Sequence, residues 1–221
     1  MNAMDKVISK NIFKENKILS PQFFVVSRRN FKNINLKKLI IKNKLIFPIV
    51  IKPSNEGSSI GVKICKNLKV LNKEFKSLSR IYDCLIFEQF IAGQEVQVAV
   101  MRNKALGAIE LKPKRKFYDY KAKYQKSAKT SHIMPAGIPK KKYKEVLKIA
   151  EKTHKALSCR GVTRSDFKFF KNKFYLLEIN TQPGMTSLSL VPEIAKYKGI
   201  SFNQLVNNII LDASIGRWVV L

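Results

Sequence analysis

Cysteine and histidine are scarce in this chain, and neither residue type forms a recognisable motif. The three cysteines, Cys65, Cys84 and Cys159, are odd in number and have no CxxC spacing, which argues against a disulfide framework and against a structural zinc site. The two histidines, His132 and His154, have no second His or Cys at metal-ligand spacing. We therefore interpret the cysteines as small buried residues of a protein in a reducing cytoplasm, and the histidines as surface or packing residues.

Long apolar runs are also missing from the sequence. No stretch approaches the roughly 18 apolar residues that a membrane-spanning helix needs, and the N-terminus has no signal-peptide pattern. We therefore expect a soluble cytoplasmic protein without a membrane partner. With 221 residues, 45% of them apolar, the chain is long enough to build a sizeable core, as one large domain or as two small lobes.

Acidic residues are few, since 15 Asp and Glu stand against 43 Lys and Arg and leave a net charge of +28. Such a charge invites the hypothesis of nucleic-acid binding, but the lysines are spread over nearly every segment and no RNA- or DNA-binding motif accompanies them. We interpret the charge as mainly a composition bias and expect no nucleic-acid partner. The segment 112–129 is an exception: its basic residues alternate with aromatic ones, so it could cover a polyphosphate or be a solvated loop.

Hydrophobic periodicity and turn signals predict helices and strands that alternate along the chain. The predicted helices are 5–16, 36–42, 71–81, 139–157, 190–196 and 202–211, and Pro139 fits the first position of its helix. The predicted strands are 22–26, 47–52, 62–65, 84–91, 95–101 and 105–111, followed by a hairpin after residue 164, whereas 131–139 is expected to be irregular.

The hairpin is the most informative local pattern. Two aromatic-rich runs flank Lys171-Asn172-Lys173, which predicts two antiparallel strands joined by a three-residue turn. Such a turn pairs Phe170 with Phe174. Counting back along both strands by twos keeps the side chains on one face of the hairpin.

This register places two acids opposite each other. It brings Asp166 opposite Glu178, and Arg164 opposite Asn180. Opposed carboxylates repel unless a cation lies between them, and the all-oxygen set of Asp166, Glu178 and Asn180 suits Mg²⁺ or Mn²⁺ rather than zinc. The alternative is an exposed hairpin whose acids face only water or Lys168.

Two segments in the first half could bind a nucleotide. The loop 53–61 is rich in Gly and Ser, so its N–H groups could face an anion beside Lys52, although it matches neither a Walker A loop nor a GxGxxG fingerprint and a plain hairpin turn is the alternative. Apolar residues of the strand 84–91 could wall a flat ring pocket, with Glu95 accepting hydrogen bonds from ribose. The alternative there is a core strand pair with an exposed Glu.

Six short motifs, taken in their order, carry a family resemblance. They are MDK at 4–6, FPIVIKPSNEGSSIG at 47–61, FEQFIAGQE at 87–95, FYDYKAKY at 117–124, RSDF at 164–167 and EINTQPGMTSLSL at 178–190. Together they resemble the D-alanine–D-alanine ligases of the ATP-grasp superfamily. The resemblance implies an α/β (α+β) ATP-grasp fold whose two lobes hold ATP between their sheets. It divides the chain into a central subdomain with the phosphate-covering loop, 1–115, and a C-terminal lobe with a mobile loop, the metal-binding hairpin and the substrate loop, 116–221.

The same resemblance implies roles for individual residues. The nucleotide would be bound by phosphate-contacting lysines, a closing loop, an adenine-binding segment and a ribose-binding glutamate: Lys6, Lys52, Glu56, Ser58, Ser59, Glu88, Gln89, Phe90, Ile91, Glu95 and Lys123. Two Mg²⁺ or Mn²⁺ ions would be bound by Asp166, Glu178 and Asn180. The catalytic residues would be Arg164, Ser58, Lys123 and Tyr124, and the amino-acid substrates would contact Tyr124, Gly184, Ser189 and Leu190.

The implied activity is an ATP-dependent ligase that joins two D-alanines through an acyl phosphate for peptidoglycan precursor synthesis. Members of the family tend to be homodimers. The family's N-terminal substrate domain, which carries a glutamate and a histidine near the first D-alanine, has no counterpart among these residues. The alternatives are therefore a truncated or degenerate ATP-grasp module that binds ATP and Mg²⁺ without turnover, or one half of a split ligase whose N-terminal domain is encoded separately.

Overall fold

Two antiparallel sheets organise the protein in a computed structural model that describes residues 3–112, 130–186 and 189–213. The first half contains α1 (Lys6–Glu15), β1 (Phe23–Ser27), a 3₁₀ turn (Arg28–Asn30), α2 (Leu36–Lys42), β2 (Ile49–Pro53), β3 (Lys63–Cys65), α3 (Leu68–Leu78) and β4 (Cys84–Gln89). The second half contains β5 (Gln94–Met101), β6 (Lys104–Lys112), β7 (Ser131–Ile133), α4 (Lys140–Ala156), β8 (Val162–Phe170), β9 (Lys173–Asn180), α5 (Leu190–Tyr197) and α6 (Phe202–Asp212).

The first sheet has four strands in the order β1-β4-β2-β3. One of its faces packs against α2 and α3 in a core that includes Ile49, Ile51, Leu85 and Phe87. Because side chains alternate along a strand, the residues between them, Val50, Lys52, Ile86 and Glu88, project to the other face. Three of these four line a cleft between the two sheets: Val50, Lys52 and Glu88.

The second sheet has five strands in the order β7-β6-β5-β8-β9, and helices cover both of its faces. On one face Val96, Val98 and Phe167 pack with residues of α1 and α4. On the other face Ala99 and Ile109 pack with α5 and α6. The strands β5 and β6 belong to this second sheet, although they precede residue 115. The sheets alone do not test the predicted domain boundary at residue 115, which stays a prediction.

The predicted alternation of elements is confirmed, with shifts at several boundaries. The third helix begins at Leu68 rather than 71, because the Asn67 side chain accepts a hydrogen bond from Val70 N at 2.9 Å and caps it. Pro139 is the N-cap of α4 rather than its first residue. The segment 131–139 is not wholly irregular, since β7 pairs with β6. Of the helices in the described ranges, none is long and apolar enough to cross a membrane.

The hairpin turn differs from the prediction, although its key pairs are confirmed. The turn consists of two residues, Lys171 and Asn172, both with positive φ, so Phe169 rather than Phe170 lies opposite Phe174. A bulge then shifts the register between Asp166 and Phe167. This bulge compensates for the shorter turn, and the expected pairs 166 with 178 and 164 with 180 are both present.

Candidate active site

A cleft between the two sheets brings together most of the predicted nucleotide-binding residues. It encloses about 820 Å³ of space that opens to solvent. The lining residues that the sequence singled out are Lys6, Lys52, Glu56, Ser59, Glu88, Gln89, Phe90, Ile91, Glu95, Asp166 and Glu178. Lys168 also lines it and binds Glu95 at 3.0 Å between Nζ and Oε2. The cleft is therefore walled by residues of both sheets and carries charges of both signs.

A buried cluster of three charges lies beside the cleft, and two of its members, Lys52 and Glu88, line it. Glu88 is 3% exposed, and its two carboxylate oxygens lie 3.1 Å from Lys52 Nζ and 2.6 Å from Lys10 Nζ. Burial alone would raise the pKa of Glu88, but the two ammonium groups together outweigh burial and hold this pKa below its usual value. Burial lowers the pKa of Lys10 against the attraction of Glu88. Lys10 was not predicted as a site residue, although it lies one helical turn after Lys6 on α1 and so shares its face.

The motif MDK is explained by the start of α1. The Asp5 carboxylate accepts hydrogen bonds from Val7 N at 2.7 Å and Ile8 N at 3.1 Å and caps the helix. This fixes Lys6 as the first helical residue, where its Nζ donates to the backbone oxygen of Glu56 and lies 3.6 Å from Glu178 Oε2. Burial lowers the pKa of Lys6, opposed by Glu178. Lys6 is thus a partly buried cation in the cleft, not an ordinary surface lysine.

The Gly- and Ser-rich loop has a strained backbone that exposes its residues to the cleft. Ser58, Ser59 and Gly61 all have positive φ, and Ser59 and Ile60 line the cleft. A Cβ at Gly61 would lie 2.8 Å from the ring of Pro53, so the turn requires glycine there. Ser58 lies between the lining residues Glu56 and Ser59 in the chain but does not itself line the cleft.

The segment predicted to bind adenine and the glutamate predicted to bind ribose also line the cleft. Phe90 and Ile91 line the cleft. The Gln89 side chain accepts a hydrogen bond from Ile46 N at 2.9 Å, so its amide is held against the first sheet. Glu95 is paired with Lys168, and a ribose hydroxyl would have to share this carboxylate with the lysine.

The predicted metal ligands lie together at the end of the hairpin. Asp166 is buried, and Arg164 donates to both of its oxygens, from Nε at 2.8 Å and from Nη2 at 3.0 Å. Glu178 lies opposite Asp166, and Asn180 lines a second crevice to which Glu178 and Lys6 also contribute. Within the described ranges no three His, Cys, Asp or Glu side chains form a cluster. Two carboxylates and an amide oxygen nevertheless fit Mg²⁺ by donor chemistry, provided that Arg164 releases an oxygen of Asp166.

The predicted residues for the amino-acid substrates are only partly described. Lys123 and Tyr124 lie outside the described residues. The Ser189 hydroxyl accepts from Thr186 N at 3.0 Å and contacts Thr186 Oγ1 at 2.9 Å, and it would lie 2.7 Å from a Cβ at Gly184. Leu190 is buried in the core with α6, so it could offer a ligand only its backbone at the first turn of α5.

Comparisons with known proteins show which chains this one is similar to. A family model described as "D-ala D-ala ligase C-terminus" matches residues 12–211. The D-alanine–D-alanine ligase of Pelagibacter ubique (strain HTCC1062) is 58% identical over 215 residues, which cover 97% of this chain and 69% of that protein.

Solved structures give the same result. A crystal structure of the D-alanine–D-alanine ligase from Bacillus anthracis matches with a TM-score of 0.83 and 32% identity, over 96% of this chain and 67% of that one. A second structure of the Bacillus anthracis ligase, complexed with ATP, matches with a TM-score of 0.80 and 27% identity, over 96% and 66%. The chain thus spans about two thirds of the length of these relatives.

Proposed function

This chain belongs to the D-alanine–D-alanine ligase family and has its ATP-grasp fold, and from that premise we propose that it takes part in the ATP-dependent joining of two D-alanines for peptidoglycan precursors. The observation that carries the proposal is the cleft itself. It brings Lys6 and Lys52 to the same space as Asp166 and Glu178. Cations that suit phosphates and carboxylates that suit a divalent ion thus converge from elements far apart in the sequence.

In this proposal ATP lies between the sheets. Adenine packs against residues 88–91, Glu95 accepts from the ribose hydroxyls, and the ammonium groups of Lys6 and Lys52 contact the phosphates. The loop 56–60 covers the phosphates, with Ser58 and Ser59 contributing their hydroxyl and backbone N–H groups. Lys123, from the basic segment, adds a further phosphate contact. Support for ATP as the nucleotide comes from the Bacillus anthracis ligase, whose structure is described as complexed with ATP.

Asp166, Glu178 and Asn180 would hold two Mg²⁺ or Mn²⁺ ions. When bound, such ions neutralise the negative charge of the β- and γ-phosphates. The chain's own part is to present three oxygen donors from adjacent strands. Arg164, which now binds Asp166, is then available to stabilise the transferred phosphoryl group.

The proposed reaction has two steps. The carboxylate of a first D-alanine takes the γ-phosphoryl group of ATP, which gives an acyl phosphate and ADP. The amine of a second D-alanine attacks the acyl carbon and expels inorganic phosphate. Ser58, Lys123 and Tyr124 assist from the covering loops, and Gly184, Ser189 and the backbone of Leu190 hold the second D-alanine. Positioning and electrostatics supply most of the rate, so the protein itself needs no nucleophile.

The test is a measurement of phosphate release and of dipeptide by mass spectrometry, with ATP, Mg²⁺ and D-alanine. The assay is run with this chain alone and with the N-terminal domain of the Pelagibacter ubique ligase added in trans. We expect D-alanyl-D-alanine in at least the second condition. Absence of dipeptide in both conditions, from a chain that is folded by circular dichroism, would refute the ligase activity.

A second candidate is an ATP- and Mg²⁺-binding module that does not turn over alone. It is favoured by the fact that the chain spans 69% of one relative and 66% to 67% of the two solved structures. A separately encoded N-terminal domain would then be its partner in a split ligase, and the complex would be a homodimer in the cytoplasm, where ATP and D-alanine are available. Nucleotide binding without dipeptide in either condition identifies a module without turnover, whereas dipeptide only with the added domain identifies one half of a split ligase.

A further inference from the structure

A buried glutamine beside the candidate metal site has no partner for its amide. Gln97, on β5, is 1% exposed, and neither its Nε2 nor its Oε1 has a hydrogen-bond partner among the residues that the structure describes. A buried amide without partners is destabilising, whereas an apolar side chain of the same size would avoid that cost. Among the other buried polar groups of this sheet, Glu110 accepts from Gly137 N and Thr163 bonds to His154, whereas the Ser165 hydroxyl also has no partner among the described residues.

The register of the second sheet places this amide next to a predicted metal ligand. Gln97 lies opposite Ile109 on one side and opposite Asp166 on the other. Asp166 in turn lies opposite Glu178, so these four residues form one row across β6, β5, β8 and β9. Side chains directly opposite on antiparallel strands have Cβ atoms about 4.5–5.5 Å apart. Gln97 and Asp166 are therefore cross-strand neighbours on the same face of the sheet.

In this structure it is Arg164, and not Gln97, that donates to the Asp166 carboxylate. Both oxygens of Asp166 accept from the guanidinium, at 2.8 and 3.0 Å. The proposed function requires this fork to open, because Asp166 must present an oxygen to Mg²⁺ and Arg164 must face the phosphoryl group. When the guanidinium of Arg164 moves away and one oxygen of Asp166 binds Mg²⁺, the second oxygen loses its hydrogen-bond donor although the side chain is buried.

We propose that Gln97 is a positioning residue whose Nε2 donates to Asp166 when Arg164 leaves it. The inference rests on the proposed function, because only metal and nucleotide binding separate the two side chains. It explains why a destabilising amide is kept at this position: Gln97 is without a partner in the resting arrangement and satisfied in the loaded one. Outer-shell hydrogen bonds of this kind fix the orientation of a ligating carboxylate.

Substitution of Gln97 by Met tests whether this residue orients the Asp166 carboxylate or only packs in the core. Met has nearly the same length and no donor, so Gln97→Met removes the unpaired amide and keeps the packing. We expect the metal-free variant to melt at the same temperature as the wild type or higher. Its dissociation constant for Mn²⁺ should rise about tenfold, measured by the electron paramagnetic resonance signal of free Mn²⁺ with a non-hydrolysable ATP analogue present.

The matched control is Gln94→Met on the same strand. Gln94 donates to Glu110 Oε1 at 3.2 Å and to Gly137 O at 3.3 Å and has no part in the cleft, so this variant should lose some stability and keep its Mn²⁺ affinity. Gln97→Met with wild-type Mn²⁺ affinity, or with a lowered melting temperature without metal, overturns the inference. A wild-type chain that binds no Mn²⁺ with the nucleotide refutes the proposed function, and the inference with it.

Discussion

Removal of the buried ammonium of Lys10 is the sharpest perturbation of the site. Lys10 is 1% exposed and its Nζ lies 2.6 Å from Glu88 Oε2. In Lys10→Met the aliphatic stem is kept, but Glu88 retains only Lys52. Breaking a buried ion pair by removing one partner costs about 3–5 kcal/mol. Because Lys52 still binds the other oxygen at 3.1 Å, we expect the lower end of that range, about 3 kcal/mol.

The expected loss can be read from urea or thermal unfolding. For a chain of this size a loss of about 3 kcal/mol lowers the melting temperature by about 6–12 °C. Lys14→Met, an exposed lysine on the same helix, is the control and should change stability by less than about 0.5 kcal/mol.

The pH dependence provides an independent check of the same reasoning. In the wild type the pKa of Glu88 is held below 4.5, so the folded state binds fewer protons than the unfolded state and stability falls as the pH drops below that value. Without Lys10 one of the two ammonium groups that oppose burial is lost, so the pKa of Glu88 should rise and folded Glu88 should take up a proton more readily. The loss caused by Lys10→Met should therefore shrink between pH 8 and pH 5. A loss below about 1 kcal/mol at pH 7.5, or one that is constant over this range, would refute the argument.

Three further substitutions test other parts of the structure. Glu178→Gln should abolish Mg²⁺-dependent ATP binding in calorimetry while the melting curve is retained; unchanged metal-dependent binding would contradict its place among the ligands. Gly61→Ala should cost at least about 1 kcal/mol in urea unfolding, because φ is +70° and its Cβ would lie 2.8 Å from Pro53, whereas Gly57→Ala, with open space around it, should not. Burial lowers the pKa of His154 below 6.5, so the wild type should lose stability as pH falls through that value, and His154→Gln should flatten this slope.

Most secondary structure could be predicted because its signals are local. The helix 36–42 was predicted with its observed bounds, since Asn35 caps it and its apolar residues repeat with helical spacing. The hairpin was predicted less completely, because local signals do not determine its turn length or its bulge. Turn length depends on which residues accept positive φ, and the sequence Lys-Asn-Lys fits two lengths. The bulge at Asp166 could not be foreseen, because it depends on how β8 also pairs with β5.

The site was predictable where a motif supplied it and not where packing created it. Lys6, Lys52 and Glu178 stood in recognisable motifs and do line the cleft. Lys10 was missed because a lysine on an amphipathic helix is normally solvated. Its burial follows only when the first sheet presents Glu88 to it. The unpaired amide of Gln97 likewise depends on the register of three strands, which no local pattern encodes.

The position of α1 gives Lys10 a role beyond the stability of one ion pair. Phe13 of this helix belongs to the core of the second sheet, while Lys10 binds Glu88 of the first sheet. Lys6, one turn earlier, contacts both the loop at Glu56 and the hairpin at Glu178. A single helix face thus ties the two walls of the cleft together. Weakening its hold on Glu88 should loosen the cleft, so Lys10→Met should also weaken ATP binding at temperatures where the variant remains folded.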